Sequence, residues 1–271
     1  MTLKSKEKRD YYYKLAKEQN YRARSAYKLL QIDQEINIIK KCKNILDLCA
    51  APGSWSQVVL ERRNNEETKV VAIDVLEMFP LDGAIMLKED ITSELCVQRI
   101  QNIMNGEKFD LVLCDGASDS TGFHFKDEFV QNELLLSSLR LSLRTGKVGS
   151  SFLGKCFRSE NFCKIIKIFY EFYENVKLFK PISSRAASIE CFIYGEGLKR
   201  VDNCSLSFNL FDFNLDFSEM QKYFLQIQAC GTGPDPDIST NDNKAYKESK
   251  YKPIDPPYKP SIQIRRNNSN T

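Results

Sequence analysis

Between residues 44 and 194, short apolar runs alternate with stretches whose apolar positions recur at helical spacing. The runs 44–48, 70–74, 84–88, 109–114, 149–155, 175–179 and 188–194 have the length of strands, and helical patterns cover 54–62, 94–104, 125–143 and 159–173. Strands alternating with helices predict an α/β protein with a doubly wound, mostly parallel seven-stranded sheet, and such sheets bind ligands beyond the carboxyl ends of their strands. Ahead of this region, Leu15, Ala16, Ala26, Leu29, Leu30 and Ile36 lie at helical spacing with a break near Asn20, which predicts two helices capping the main domain. After Asp202 the pattern weakens, and 217–228 reads as one further helix. Residues 231–271 hold six of the nine prolines and few aliphatic side chains, so this tail is expected to be extended or disordered when alone. The division expected is a helical segment at 1–43, a main domain at 44–200, an extension at 201–230 and a tail at 231–271.

The stretch 46–57, L-D-L-C-A-A-P-G-S-W-S-Q, joins the first apolar run to a helix through small residues. Ala50, Ala51 and Gly53 let backbone approach a bound molecule, and the helix opening at Ser54 points its amide groups back at the loop. An ordinary strand-to-helix turn has the same local pattern. Asp74, Asp90 and Asp115 stand at the ends of later strands, where a buried sheet has no need of charge. An acid about twenty residues beyond a glycine loop is where nucleotide-binding sheets grip ribose hydroxyls, and Asp74 fits. The loop is not G-x-G-x-x-G, so it suits an adenosine without a pyrophosphate, namely S-adenosylmethionine.

Composition narrows the class. With 42% hydrophobic and 28% charged residues, the 271-residue chain is expected to be globular and chiefly one domain. No run reaches the roughly eighteen apolar residues of a membrane span, and the Lys-rich start lacks the apolar core of a secretory signal, so a cytoplasmic protein without a membrane anchor is expected. Nine cysteines without a C-x-x-C pair, and a single histidine, read as reduced thiols with no metal site. The net charge of +3 hides an asymmetry: residues 1–43 carry twelve Lys and Arg against five acids. Interleaved with Tyr11, Tyr12, Tyr13, Tyr21 and Tyr27, these cations suit a polyanion whose bases stack on rings; a solvated basic helix has the same composition.

Five strings carry a family resemblance: R-A-R-S-A-Y-K-L at 22–29, D-L-C-A-A-P-G-S-W-S-Q at 47–57, C-D-G-A at 114–117, G-K-C-F at 154–157 and S-S-R-A-A-S-I-E-C-F at 183–192. From about Lys6 to Leu198 the sequence resembles the FtsJ (RrmJ) type of RNA ribose 2′-O-methyltransferase. The resemblance implies a class I, Rossmann-like, S-adenosylmethionine-dependent fold and a catalytic K-D-K-E tetrad at Lys28, Asp115, Lys155 and Glu190. It also implies cofactor contacts from Asp47, Ala51, Pro52, Gly53, Trp55, Asp74, Asp90, Ile91 and Asp115, although Trp55 equally suits core packing. Taken singly, Lys28 reads as a solvated helix residue, Glu190 as a strand-edge charge and Asp115 as a helix cap. Two positions depart from the family pattern: Phe125 follows His124 where the family has an acid, and Ser118 stands where it has Pro.

Attack by a ribose hydroxyl, a weak acid, on a sulfonium methyl needs a base and careful alignment, and Lys155 is the expected base. The string at 8–30, A-C-G-T-G at 229–233 and Y-K-P-I-D-P-P-Y at 251–258 resemble the eukaryotic tRNA branch, which methylates anticodon-loop riboses at positions 32 and 34. That branch works with helper proteins, one a WD40 propeller and one built of helical repeats, and the tail is a candidate docking segment. Methylation of rRNA or of the mRNA cap, and a noncatalytic RNA-binding protein of the same fold, stand as alternatives.

Overall fold

Alternate residues of the central strands feed two separate cores, one on each face of a single sheet. The computed structural model describes residues 11–117, 124–185, 187–201, 208, 210–213, 215–223 and 226–233. The strands are β1 (Asn44–Leu48), β2 (Lys69–Asp74), β3 (Ala84–Lys88), β4 (Phe109–Cys114), β5 (Gly146–Phe157), β6 (Tyr173–Pro181), β7 (Glu190–Leu198) and β8 (Ile227–Cys230). They lie in the order β3-β2-β1-β4-β5-β7-β6-β8. The first five are mutually parallel, β7 runs antiparallel to both β5 and β6, and β8 pairs parallel to β6.

The helices are α1 (Tyr11–Glu18), α2 (Ala26–Ile36), α3 (Ser54–Arg62), α4 (Glu94–Met104), α5 (His124–Thr145), α6 (Phe162–Phe172) and α7 (Phe217–Lys222). Local chemistry sets their ends. Ser93 caps α4 by accepting from the Leu95 amide, and Asn105 and Asn37 close α4 and α2 in the left-handed region that Asn tolerates. One face of the sheet packs Leu46, Leu48, Val112 and Phe152 under α4, α5 and α6. The other packs Ile45, Leu111, Leu113, Leu153 and Phe192 under α1, α2 and α3. This is the period-two alternation of a sheet covered on both sides.

Two expectations need correction. The sheet has eight strands, not seven: the stretch read as one helix to residue 228 divides into α7 and β8, because Ile227–Cys230 finds the open edge of β6. The rings of Tyr12, Tyr21 and Tyr27 do not face solvent; at 2%, 8% and 7% exposure they pack on one another beneath α1 and α2. Being large and half apolar, they join Ala26, Leu29 and Ile32 in the core beneath these short helices. The eight described cysteines are free thiols. Among the described residues no helix is long and apolar enough to cross a membrane. Residues 118–123, with Ser118, and the tail string at 251–258 lie outside the described residues, as does the side chain of His124.

Candidate active site

On the face covered by α2, each central strand carries an apolar stripe that ends in a charge. Leu111 and Leu113 lead to Asp115, Leu153 leads to Lys155, and on the antiparallel β7 Tyr194 and Phe192 lead to Glu190. Cys114 is in register with Gly154, and Lys155 with Phe192, so the three charges converge at one end of the sheet. Lys28 projects from α2 into the same place, its ammonium 5.5 Å from the centre of the Phe192 ring. The four residues expected as a tetrad are therefore brought together.

Lys28 Nζ lies 2.9 Å from both carboxylate oxygens of Glu190 and 3.6 Å from Asp115 Oδ1. Lys155 Nζ is held more loosely, 3.6 Å from Asp115 Oδ1, 3.5 Å from Glu190 Oε2 and 3.5 Å from the Asp115 carbonyl. All four side chains are nearly buried, with Lys155 the most so at 7% exposure. Burial alone would raise the pKa of Glu190, but Lys28, Lys155 and the Ser184 hydroxyl hold it down to about 2. Burial alone would lower the pKa of Lys28, but Asp115 and Glu190 outweigh it and raise it. At neutral pH the site thus holds a fixed Lys28–Glu190 ion pair. Asp115 Oδ1 is buried between the two ammonium groups, 3.6 Å from each and beyond hydrogen-bond distance of either.

The loop after β1 lies beside this cluster. Cys49 and Gly53 adopt the left-handed region, with φ of 53° and 101°, and the Ala51–Pro52 bond is cis. Asp74 accepts the Ala51 amide on one oxygen, at 2.9 Å, and the Leu76 amide on the other, at 2.8 Å. Asp90 is exposed and accepts the backbone amide and hydroxyl of Thr92, which hold its pKa down. Asp47 is buried, accepts the Ser56 hydroxyl at 2.6 Å, and burial pushes its pKa up to about 8. Trp55 and Ile91 lie inside the two cores, and the Trp55 indole donates to the Ser25 carbonyl at 2.9 Å.

Arg22 was not singled out by sequence except as part of its string. Its guanidinium donates to the carbonyls of Pro52, Phe79 and Pro80, joining the N-terminal segment, the β1 loop and the β2–β3 loop. A Cβ at Gly53 would lie 2.8 Å from Arg22 Nη1, so the loop needs glycine both for its φ and for this close approach. An open left-handed turn and two strand-end acids beside the tetrad fit a nucleoside-bearing methyl donor. They do not form a pyrophosphate cradle.

Residues 21–198 match the model of the FtsJ-like methyltransferase family, well over half of the chain. The chain belongs to the FtsJ-like methyltransferases. It is similar to the tRNA (cytidine(32)/guanosine(34)-2′-O)-methyltransferase of Schizosaccharomyces pombe, at 37% identity over 96% of each chain. The mouse enzyme of the same name is likewise 37% identical, over 97% of this chain and 86% of that one. Among solved structures, a ribosomal RNA methyltransferase of Plasmodium falciparum superposes with a TM-score of 0.59 at 25% identity, covering 66% of this chain and 98% of that one. As an FtsJ-like methyltransferase, the protein takes its methyl group from S-adenosylmethionine.

Proposed function

We propose that this FtsJ-like methyltransferase methylates ribose 2′-hydroxyls of tRNA at anticodon-loop positions 32 and 34. The observation that carries the chemistry is the convergence of Lys28, Asp115, Lys155 and Glu190 in one nearly buried cluster. The donor supplies an electrophilic methyl when bound. Ala51, Pro52, Gly53, Asp74 and Asp90, with Asp115 nearest the tetrad, would hold it, while Asp47, Trp55 and Ile91 support those segments from within.

The lysines divide the remaining work. Lys28 is locked to Glu190 at 2.9 Å with its pKa raised, so it stays a cation and stabilises negative charge developing on the ribose oxygen. Lys155 makes no carboxylate contact shorter than 3.5 Å, so it is held less tightly than Lys28; once it has given up its own proton, its neutral amine meets the hydroxyl and takes that proton. Asp115 and Glu190 orient both amines, and Glu190, with its pKa held near 2, is too weak a base to take the proton itself.

The tRNA reading rests on the substrates in the relatives' names, the near-complete coverage of those chains, and the basic charge of residues 1–43. In this reading 1–43 presents the RNA and lends Lys28 to the tetrad, 44–200 holds the rest of the chemistry with β8 of the extension added to its sheet, and 231–271 docks a helper protein. The helpers are of the propeller and helical-repeat kinds, and the setting is the cytoplasm. Ribosomal RNA is the second reading, favoured by the name of the Plasmodium neighbour. Mapping of 2′-O-methylation across total RNA after loss of the protein separates the two. Loss at tRNA positions 32 and 34 with rRNA unchanged supports the proposal, and loss confined to rRNA contradicts it.

A further inference from the structure

Glu190 is held from behind by the turn that follows β6. Ser184, 4% exposed, donates its hydroxyl to Glu190 Oε1 at 2.7 Å. Its own placement depends on the turn from β6: the Ser184 amide donates to the Pro181 carbonyl at 2.9 Å, and the Ser183 amide to Gln31 Oε1 at 2.9 Å. Arg24 also donates to the Ser183 carbonyl. Gln31 is 5% exposed and lies three residues after Lys28, so one face of α2 delivers a tetrad lysine and a clamp for the turn behind the tetrad carboxylate.

The C-terminal segment closes this clamp. Cys230 pairs in register with Pro181, and its carbonyl accepts the Ile182 amide at 3.0 Å. Gly231 then passes against Gln31 with φ of 88°, so closely that a Cβ there would lie 2.4 Å from Gln31 Cγ. Gln31 Nε2 donates to Tyr12 Oη at 3.3 Å, and a Cβ at Gly233 would lie 2.6 Å from that same oxygen. The segment 227–233 thus fixes the rotamer of Gln31, Gln31 fixes the turn, and the turn fixes the carboxylate.

We propose that Ser184 and Gln31 are positioning residues for Glu190, and that the β8 segment is part of the catalytic apparatus through them. This rests on the methyl-transfer reading above. The test uses the full chain, with helper proteins where wild-type turnover needs them, and compares single-turnover methyl transfer to tRNA with S-adenosylmethionine binding by dialysis. Losing one hydrogen bond to a charged group predicts that Ser184→Ala slows transfer about tenfold, with cofactor affinity unchanged. Ser184→Thr, which keeps the hydroxyl, restores most of the rate. Gly231→Ala slows transfer in the same way, and in a Glu190→Gln background Ser184→Ala adds no further loss. A wild-type rate in Ser184→Ala overturns the proposal, as do additive losses with Glu190→Gln or equal loss of rate and cofactor binding that threonine fails to rescue. A wild-type chain that transfers no methyl to any RNA overturns the function reading itself, and the proposal with it.

Discussion

At Glu190, burial and charge act in opposite directions, and the two lysines with the Ser184 hydroxyl win. The folded value of about 2 lies below the ordinary 4.5, so the stability contributed by this ionisation is complete above pH 4.5 and is lost as pH falls toward 2. Lys28 has the complementary dependence: its folded value is raised, so its contribution is complete below the ordinary 10.5 and is lost as pH rises through the folded value. Urea unfolding of Glu190→Gln between pH 2 and 6 is expected to show a shallower acid slope than the wild type; an unchanged slope would mean that Glu190 does not carry the linkage. Asp47 works the other way. Its folded value is raised from 3.8 to about 8, so the fold loses stability as pH rises across that window, and Asp47→Asn is expected to remove that loss. The four residues expected as a tetrad could be singled out because each lies in a recognisable string, and Asp115, Lys155 and Glu190 also stand at the end of an apolar stripe. The contacts of Ser184 and Gln31 were not legible, although Ser184 shares a string with Glu190, because a buried polar side chain cannot be told from a solvated one until the segment packed on it is known.

At the scale of elements, the β1 loop depends on a residue thirty positions earlier. Arg22 ties Pro52 to Phe79 and Pro80, so the β1 loop and the β2–β3 loop are both anchored to the N-terminal segment. Arg22→Ala is expected to weaken S-adenosylmethionine binding about tenfold, the scale of a lost charge-assisted hydrogen bond, with little change in rate at saturating cofactor. Gly53→Ala is expected to do at least as much, since its left-handed φ and the 2.8 Å approach of Arg22 both exclude a side chain. Equilibrium dialysis reads both variants. The alternation of strands and helices between 44 and 194 was legible from periodicity, and α3 and α4 begin and end where their patterns do. β8 escaped because four residues, I-Q-A-C, carry too short a pattern to oppose the helical reading around them. It becomes a strand by pairing with the edge of β6, a tertiary contact that no window along the chain contains. The tyrosines of the N-terminal helices misled for a related reason: their spacing fits stacking on bases and packing in a core equally well.

Across the whole molecule, cations are concentrated in residues 1–43, and α1 and α2 cover the face of the sheet on which the tetrad opens. RNA drawn to the basic segment therefore arrives beside Lys28. Binding of tRNA is expected to weaken steeply with salt through counterion release, and neutralising Lys14 and Lys17 together is expected to flatten that dependence without altering cofactor binding. The central claim is that four convergent charges perform methyl transfer to a ribose hydroxyl, with Lys155 taking the proton. Its most direct test is single-turnover transfer of labelled methyl to tRNA by the wild type and Lys155→Ala, alongside dialysis of the cofactor against both. Lys155→Ala is expected to lose at least about a hundredfold in rate while binding S-adenosylmethionine as the wild type does. Near-normal transfer by Lys155→Ala would contradict that claim.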